Sequence, residues 1–492
     1  MQSSSVATYQ RLVPGISNVT LRMRYYGLYA WLCQRYAHEI GDTNPETWQR
    51  FVRRAEALYA LISVHRGGEI GVAGTQWATG ALASNDAEID FLVASEPKGE
   101  GLYLKQPWGA YGAAYASQLH EIGIFAEAQG HQIPVPSASV GEALAEAFAE
   151  AIGPSGELFF YIQSKGCASR ADLDQLKHLA PSEIRNGSTE CECYRDLLFA
   201  RQGPPRPNDL ERKRTLLLML HVTKQLGRTP RPEDIRWVLY RDPDQDQSPL
   251  VLSSAELQTH QMRWRIYQAN DLTHIVYATL LKYLLDLLSY YPSGVSLASL
   301  ISEAIENIRS TTDSWPQTWQ QHLDETVLDA SVVEENLTET LMRDARLEGE
   351  CTANGAWHAI TLLAVLCKRT QSFRQQIRNE LGHFNSTLSH SLLTELAFLD
   401  SAADESFDLV LRHIFDQRIL KQHLWVALRK LRYQGDYTFL VESDDGRIRL
   451  RTKDGPVFTN PRLGPSVTFL RDTYLIDEHG LTQDGKSILV EA

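Results

Sequence analysis

Between Ser253 and Pro292 the chain reads SSAELQTHQMRWRIYQANDLTHIVYATLLKYLLDLLSYYP. It opens on a Ser-Ser-x-Glu capping signal at Ser253 and keeps helical spacing until Pro292, which predicts one long helix or two in tandem. Its apolar heart, HIVYATLLKYLLDLLSYY, is interrupted by Lys282 and Asp286. A segment carrying charges there is expected to be buried in protein rather than to span a bilayer. Upstream, DLERKRTLLLMLHVTKQLG is predicted to open with Asn208 or Asp209 as N-cap and to close at Gly227. Downstream, helical spacing covers approximately 296–310, 317–348, 355–381, 386–400 and 405–433. The middle of the chain reads as an array of packed helices, with no repeat of fixed period and no low-complexity tract.

At 492 residues the chain is too long for one core, and about two to four domains are expected. RQGPPRPND, from Arg201 to Asp209, places three prolines where neither a helix nor a central strand can continue, so a boundary is expected there. Near Gly435 helical spacing gives way to alternation punctuated by Gly, Asp and Pro. These changes divide the chain into about 1–200, 209–434 and 435–492. Hydrophobic residues at 43% and charged residues at 22% exclude disordered and fibrous classes. A net charge of −13 argues against wholesale wrapping of nucleic acid but leaves room for a local basic patch. The N-terminus lacks the layout of a signal peptide. Six cysteines in so long a chain do not make a disulfide framework, and free thiols in a reducing cytoplasm are expected.

NVTLRMRYYGLYAWLCQRYAHEI and PETWQRFVRRAEALYALISVHR are two amphipathic helices. Tyr25, Tyr26, Tyr29, Trp31 and Tyr36 on the first are expected to fill a core, with a base-stacking surface as the sharper alternative. Two other stretches echo each other. In residues 114–152, Leu119, Ile122 and Ile124 end a helix and enter a strand. Gln129-Gly130 supplies a turn, HQIPVP returns as a strand, and Ser137 or Ser139 caps an alanine-rich helix. In PSVTFLRDTYLIDEHGLTQDGKSILVEA a short helix from Val467 to Asp472 leads into Tyr474, Leu475 and Ile476, then a turn at Glu478-His479-Gly480. Both resemble the back half of a winged-helix module. The expected fold class is therefore mainly α with small β-hairpins (α+β), winged-helix-like modules lying at about 110–152 and at the C-terminus around a helical middle.

The same C-terminal stretch contains Gly480-Leu481-Thr482-Gln483-Asp484-Gly485-Lys486-Ser487, a letter-for-letter phosphate-loop pattern. A phosphate loop needs a buried parallel strand before it and a helix after it. Here a punctuated hairpin precedes the pattern and only Ile488 to Ala492 follow, so no nucleotide cofactor is expected.

Basic residues concentrate elsewhere. In DYTFLVESDDGRIRLRTKDGPVFTNPR, Asp445-Gly446 signals a hairpin. On the return strand Arg447, Arg449, Arg451 and Lys453 are expected on one face, with Ile448 and Leu450 on the other. The preceding helix ends WVALRKLRYQG and adds Arg429, Lys430 and Arg432. From Arg412 to Arg462 there are eleven Lys/Arg against six Asp/Glu, a local excess of five positive charges in an acidic chain. A solvated sheet edge, phosphate contact and docking on an acidic partner are the three readings. KQLGRTPRPEDIRWVLYRD resembles a helix-turn-helix connection, and Arg228, Arg231 and Arg236 are its candidate phosphate contacts.

Enzymatic readings are weaker. Asp90, Glu96 and Lys98 in NDAEIDFLVASEPKGE have the residue types of a metal-dependent nuclease, but Pro97 disfavours the paired strand such a site needs. Cys191 and Cys193, with Cys167 and His178 upstream, lack the paired knuckles of a zinc site. His383, His390, His413 and His423 lack metalloprotease spacing. The glycine-rich loop from Gly67 to Gly74 follows a helix and so fails as a dinucleotide fingerprint.

VPGISNVTLRMRYYGLYAWLC and GDTNPETWQRFVRRAEALYAL are similar to bacterial proteins of the kind encoded in anti-phage defence clusters. That resemblance implies a helicase or nuclease partner that carries the catalysis. The expected function is a non-catalytic DNA-engaging or scaffolding subunit. A nuclease using Asp90, Glu96 and Lys98 and a pure protein–protein scaffold are the alternatives.

Overall fold

The stretch beginning at Ser253 forms one helix, Ala255–Leu288, in the computed structural model, which describes residues 1–84, 86–126, 130, 132–241, 248–328, 332–384 and 390–491. The capping serine is Ser254, whose hydroxyl accepts from Leu257 N. Lys282 and Asp286, one turn apart, bond to each other. Lys282 also donates to Gly349 O at 2.7 Å, and Asp286 accepts from Cys351 N at 2.8 Å. Satisfying both charges locally is what lets them sit inside a protein core. Among the described residues no helix is long and apolar enough to cross a membrane.

The chain is mainly helical, with small antiparallel sheets, and divides into two units: residues 1–9 with 236–459, and residues 10–235 with 460–492. In the first unit the long helix packs against helices Leu297–Arg309, Val332–Asp344, Ala353–Arg369 and Arg374–Leu381. A three-stranded antiparallel sheet accompanies them, with Arg447–Leu450 between Val295–Ser296 and Val441–Asp444. Its turn is the expected one: Asp445 and Gly446 both take positive φ, 48° and 73°. The segment from Phe407 to Gln434 continues through a wider π-helical stretch, Ile414–Leu420, into helix Lys421–Gln434.

In the second unit helix Arg24–Glu39 packs on Gly141–Ile152, and Pro45–Arg66 on Thr75–Leu82 and Arg170–Leu176. Tyr25, Tyr26, Tyr29, Trp31 and Tyr36 are all buried. Tyr25 stacks on Tyr115 at 4.8 Å and meets Tyr59 edge-on at 5.1 Å. These aromatics are core, and the base-stacking alternative for this helix is set aside. Two buried carboxylates are held among them. Glu56 accepts from the hydroxyls of Tyr29 and Tyr103 and from the amides of Ala110 and Tyr111; burial still pushes its pKa up. Glu190 pairs with Arg24 through both oxygens, at 2.9 and 3.1 Å.

The Pro-rich stretch does not separate these units. It joins helices Thr189–Phe199 and Pro207–Leu226, which pack against each other within the second unit. Prolines break a helix, but they do not forbid its two pieces from repacking. Pro207 takes the first helical position, which moves the helix start ahead of Asn208. The change at Gly435 is likewise not a unit boundary: residues 435–459 belong with the helical middle, and 460–492 with the N-terminal region.

The two echoing stretches are the same structural motif built twice. Helix Ala116–Glu121, strands Phe125–Ala126 and Val135–Pro136, and helix Gly141–Ile152 form the first copy. Helix Leu463–Asp472, strands Ile476–Asp477 and Gly480–Leu481, and helix Gln483–Glu491 form the second. Residues 127–129, including Gln129 of the expected turn, lie outside the described residues. Ile124 N bonds Leu119 O, and Leu475 N bonds Leu470 O, both at 2.9 Å. Ser137 Oγ donates to Gly123 O and accepts from Gly141 N; Thr482 Oγ1 donates to Tyr474 O and accepts from Gly485 N. Gly123 and Tyr474 both take positive φ, 88° and 58°. In each copy the glycine is obligatory by contact: a Cβ at Gly141 would collide with the carbonyl oxygen of Ile124, and one at Gly485 with that of Leu475.

This explains the phosphate-loop letters. Gly485, Lys486 and Ser487 lie inside helix Gln483–Glu491, and Lys486 N already bonds Thr482 O at 3.0 Å. Gly485 is required by the Leu475 backbone it touches, not by a phosphate. Gly485→Ala should therefore destabilise the second unit by about 1–3 kcal/mol, as overpacking against fixed backbone does. Urea unfolding followed by circular dichroism measures this, and an unchanged midpoint would contradict the packing argument.

Candidate nucleic-acid interface

Helix Lys421–Gln434 buries one residue, Ala427. Between Lys421 and Gly435 the chain has no Asp or Glu. Trp425, Arg429 and Arg432 fall at i, i+4 and i+7 and so share a face. Arg429 lies over the Trp425 ring at 5.0 Å, and Arg432 over Tyr433 at 5.6 Å. Arg429, Lys430 and Arg432 are exposed, and Tyr433 is 73% exposed. The helix ends at Gly435, φ 74°, whose amide bonds Leu431 O. Cations in the last turn complement the negative end of the helix dipole.

The hairpin beside it divides the expected basic face. Arg447 and Arg449 are exposed on strand Arg447–Leu450, while Ile448 and Leu450 pack toward the core, as alternation predicts. This strand is central in its sheet, so the edge-guard reading does not apply to it. Arg449 pairs with Asp444 at 3.1 Å and Arg451 with Glu442 at 3.7 Å. Both pairs are solvent-facing and weak, so each arginine is available to a stronger anion. Arg451 also donates to Phe439 O at 3.0 Å and covers the Tyr437 ring at 4.4 Å. Lys453 departs from the expected face. It lies beyond the strand and reaches the buried Asp286 at 2.7 Å, so it is a structural counter-charge. Among the described residues, Arg429, Lys430, Arg432 and Arg447 have no carboxylate within ion-pair distance.

The second candidate divides as well. Helices Pro207–Leu226 and Pro232–Tyr240 are joined by a turn at Gly227, φ 64°, as expected. Arg228 and Arg231 are exposed, and both approach Asp234, at 2.8 and 3.4 Å. The Arg228 guanidinium holds that carboxylate well below its usual range. Arg236 is not a phosphate contact. Its side chain is 8% exposed, pairs with buried Asp271 at 3.0 Å and lies over Phe458 at 4.1 Å. The turn itself is covered: Thr229 donates to Asp477 O, and Gly480 abuts the backbone of Arg228.

The enzymatic candidates are not brought together on a shared strand. Asp90 ends the short strand Glu88–Asp90, paired only with Cys167–Ser169, and its Oδ1 accepts from Leu92 N. Glu96 and Lys98 follow in irregular chain, with Glu96 3.9 Å from Arg50. Cys167 contacts Glu88, Cys191 contacts Thr473 O, and His178 contacts Ile152 O. Burial pushes the Cys191 thiol up to about 11, away from ready ligation. No group of three or more His, Cys, Asp or Glu that would hold a metal occurs among the described residues.

Sequence reasoning missed Trp425, Tyr433 and Tyr437. The signal was present in WVALRKLRYQGDYTFLV, where aromatics interleave with the cations, the footprint of single-strand binding surfaces. Compared with known proteins, the chain matches no family, no curated protein and no solved structure.

Proposed function

We propose that this protein is a non-catalytic DNA-engaging subunit of a multi-protein bacterial anti-phage defence assembly, in which a helicase or nuclease partner supplies the catalysis. The observation that carries this reading is helix Lys421–Gln434: largely exposed, free of acids, and bearing Arg429, Lys430 and Arg432 without carboxylate partners among the described residues. Arg447 is a further exposed cation on the hairpin that follows, with Arg449 and Arg451 behind weak surface pairs. Phosphate neutralisation by such residues is largely independent of sequence and strongly dependent on salt. The duplicated helix–hairpin–helix motif supports the winged-helix resemblance, and winged helices serve docking as well as DNA binding. A pure scaffold is the second reading, favoured by Leu424, Leu428 and Leu431, which the same helix leaves exposed.

Fluorescence anisotropy with labelled DNA tests the proposal. Three phosphate contacts give a salt slope of about −2 to −3, so affinity should fall about twentyfold to fortyfold between about 50 and about 200 mM salt. The Arg429→Ala/Lys430→Ala/Arg432→Ala variant should lose most of that dependence. Equal binding by variant and wild type would remove this helix from the interface.

A further inference from the structure

We infer that this surface takes unpaired nucleobases, so that its ligand is a single-stranded polynucleotide and not a duplex. The inference rests on the nucleic-acid reading above and adds what the aromatic residues contribute. Tyr433 is 73% exposed and Tyr437 51%, and neither hydroxyl has a hydrogen-bond partner among the described residues. An exposed tyrosine hydroxyl is satisfied by water, but a tyrosine ring left in water forgoes the burial that most tyrosines of this chain obtain.

Each ring already carries a cation. Arg432 lies over Tyr433, and Arg451 covers Tyr437 at 4.4 Å, with the Phe439 ring 5.1 Å from Tyr437 on the same stretch. Trp425 under Arg429 makes a third pair farther up the helix. Cations for phosphate and rings for bases are therefore paired three times: Arg429 with Trp425 and Arg432 with Tyr433 on the helix, and Arg451, from beyond the return strand, with Tyr437. The rings gain nothing from duplex DNA, whose base faces are hidden in its own stack. With a single strand they gain a stacking partner of any base identity, so the preference is for strandedness rather than for sequence.

The test compares labelled oligonucleotides of about 20 nucleotides, long enough for such a site: oligo-dT, oligo-rU and a DNA duplex, all at one salt concentration. Wild type is expected to bind the single strands about tenfold or more tightly than the duplex. Tyr433→Leu/Tyr437→Leu keeps bulk but removes both rings. It should weaken single-strand binding by about tenfold or more and leave duplex binding unchanged. Tyr433→Phe/Tyr437→Phe should retain the preference, since the ring faces remain. Both positions are exposed, so none of these changes should alter folding. Equal affinity of wild type for single strand and duplex, or a Leu variant with undiminished single-strand binding, overturns the inference while leaving the DNA-engaging reading intact. Absence of binding to all three probes overturns that reading itself, and with it the inference, and directs attention to an acidic protein partner.

Discussion

Replacing Glu190 with alanine should destabilise the unit formed by residues 10–235 and 460–492 by about 3–5 kcal/mol, the usual cost of stranding one member of a buried ion pair. Arg24 and Glu190 are each 1% exposed. Arg24 has two further acceptors, His178 O at 2.6 Å and Ala180 O at 2.9 Å, but no second carboxylate among its bonds. Tyr194 also loses an acceptor, because its hydroxyl reaches the same carboxylate at 3.0 Å. Urea denaturation should show the lower midpoint. Glu190→Gln, which retains an acceptor but not the charge, should fall between wild type and alanine. The double change Arg24→Met/Glu190→Leu should recover much of the loss, because replacing both charges leaves none stranded. A Glu190→Ala midpoint shifted by less than about 1 kcal/mol would mean that the pair does not hold this core.

Acid should weaken the helical unit through His322. This residue is 5% exposed and packs against Trp319, Trp357 and Phe407 at ring separations of 5.1–5.5 Å. Burial lowers its pKa from 6.5 to about 4, with the bond to the Ile360 backbone and the charge of Glu325 opposing the shift. Because the folded pKa lies below the unfolded one, the unfolded chain binds the proton first as pH falls. Stability is therefore unaffected above about 6.5 and declines between there and about 4. At about 1.4 kcal/mol per pH unit, the whole window is worth about 3 kcal/mol. Tryptophan fluorescence during urea unfolding at stepped pH reads this directly, since indoles surround the imidazole. His322→Phe should flatten the slope across that window. An unchanged slope would place the acid sensitivity on other histidines, among which the half-buried His274 and His423 are also shifted down by desolvation.

Much of the candidate interface was legible before the structure. The Asp445-Gly446 turn, the alternation of Arg447 and Arg449 with Ile448 and Leu450, and the basic end of the preceding helix all follow from spacing within a few residues. Lys453 and Arg236 were not legible. Each has a pattern suited to a phosphate contact, and each is claimed by a buried aspartate far along the chain, Asp286 and Asp271. The aromatic contribution was overlooked for the opposite reason. Most tyrosines and tryptophans of this chain are core, as those of helix Arg24–Glu39 are, and only tertiary packing reveals that Tyr433 and Tyr437 are not.

Local signals place a helical run from Ser253 to Pro292, the reversal of the chain at Gly227 and Gly446, the helix–hairpin–helix motif at 116–152 and the helix and hairpin that echo it at 463–481. These depend on caps, turn glycines and apolar periodicity, which act over one or two turns of chain. Tertiary structure alone decided that the prolines after Arg201 join two packed helices, that residues 435–459 and 460–492 belong to different units, and which basic residues stay in solvent. Those outcomes depend on which distant segment covers a residue and offers it a countercharge. A local pattern carries the charge of a side chain, but not the partner that neutralises it.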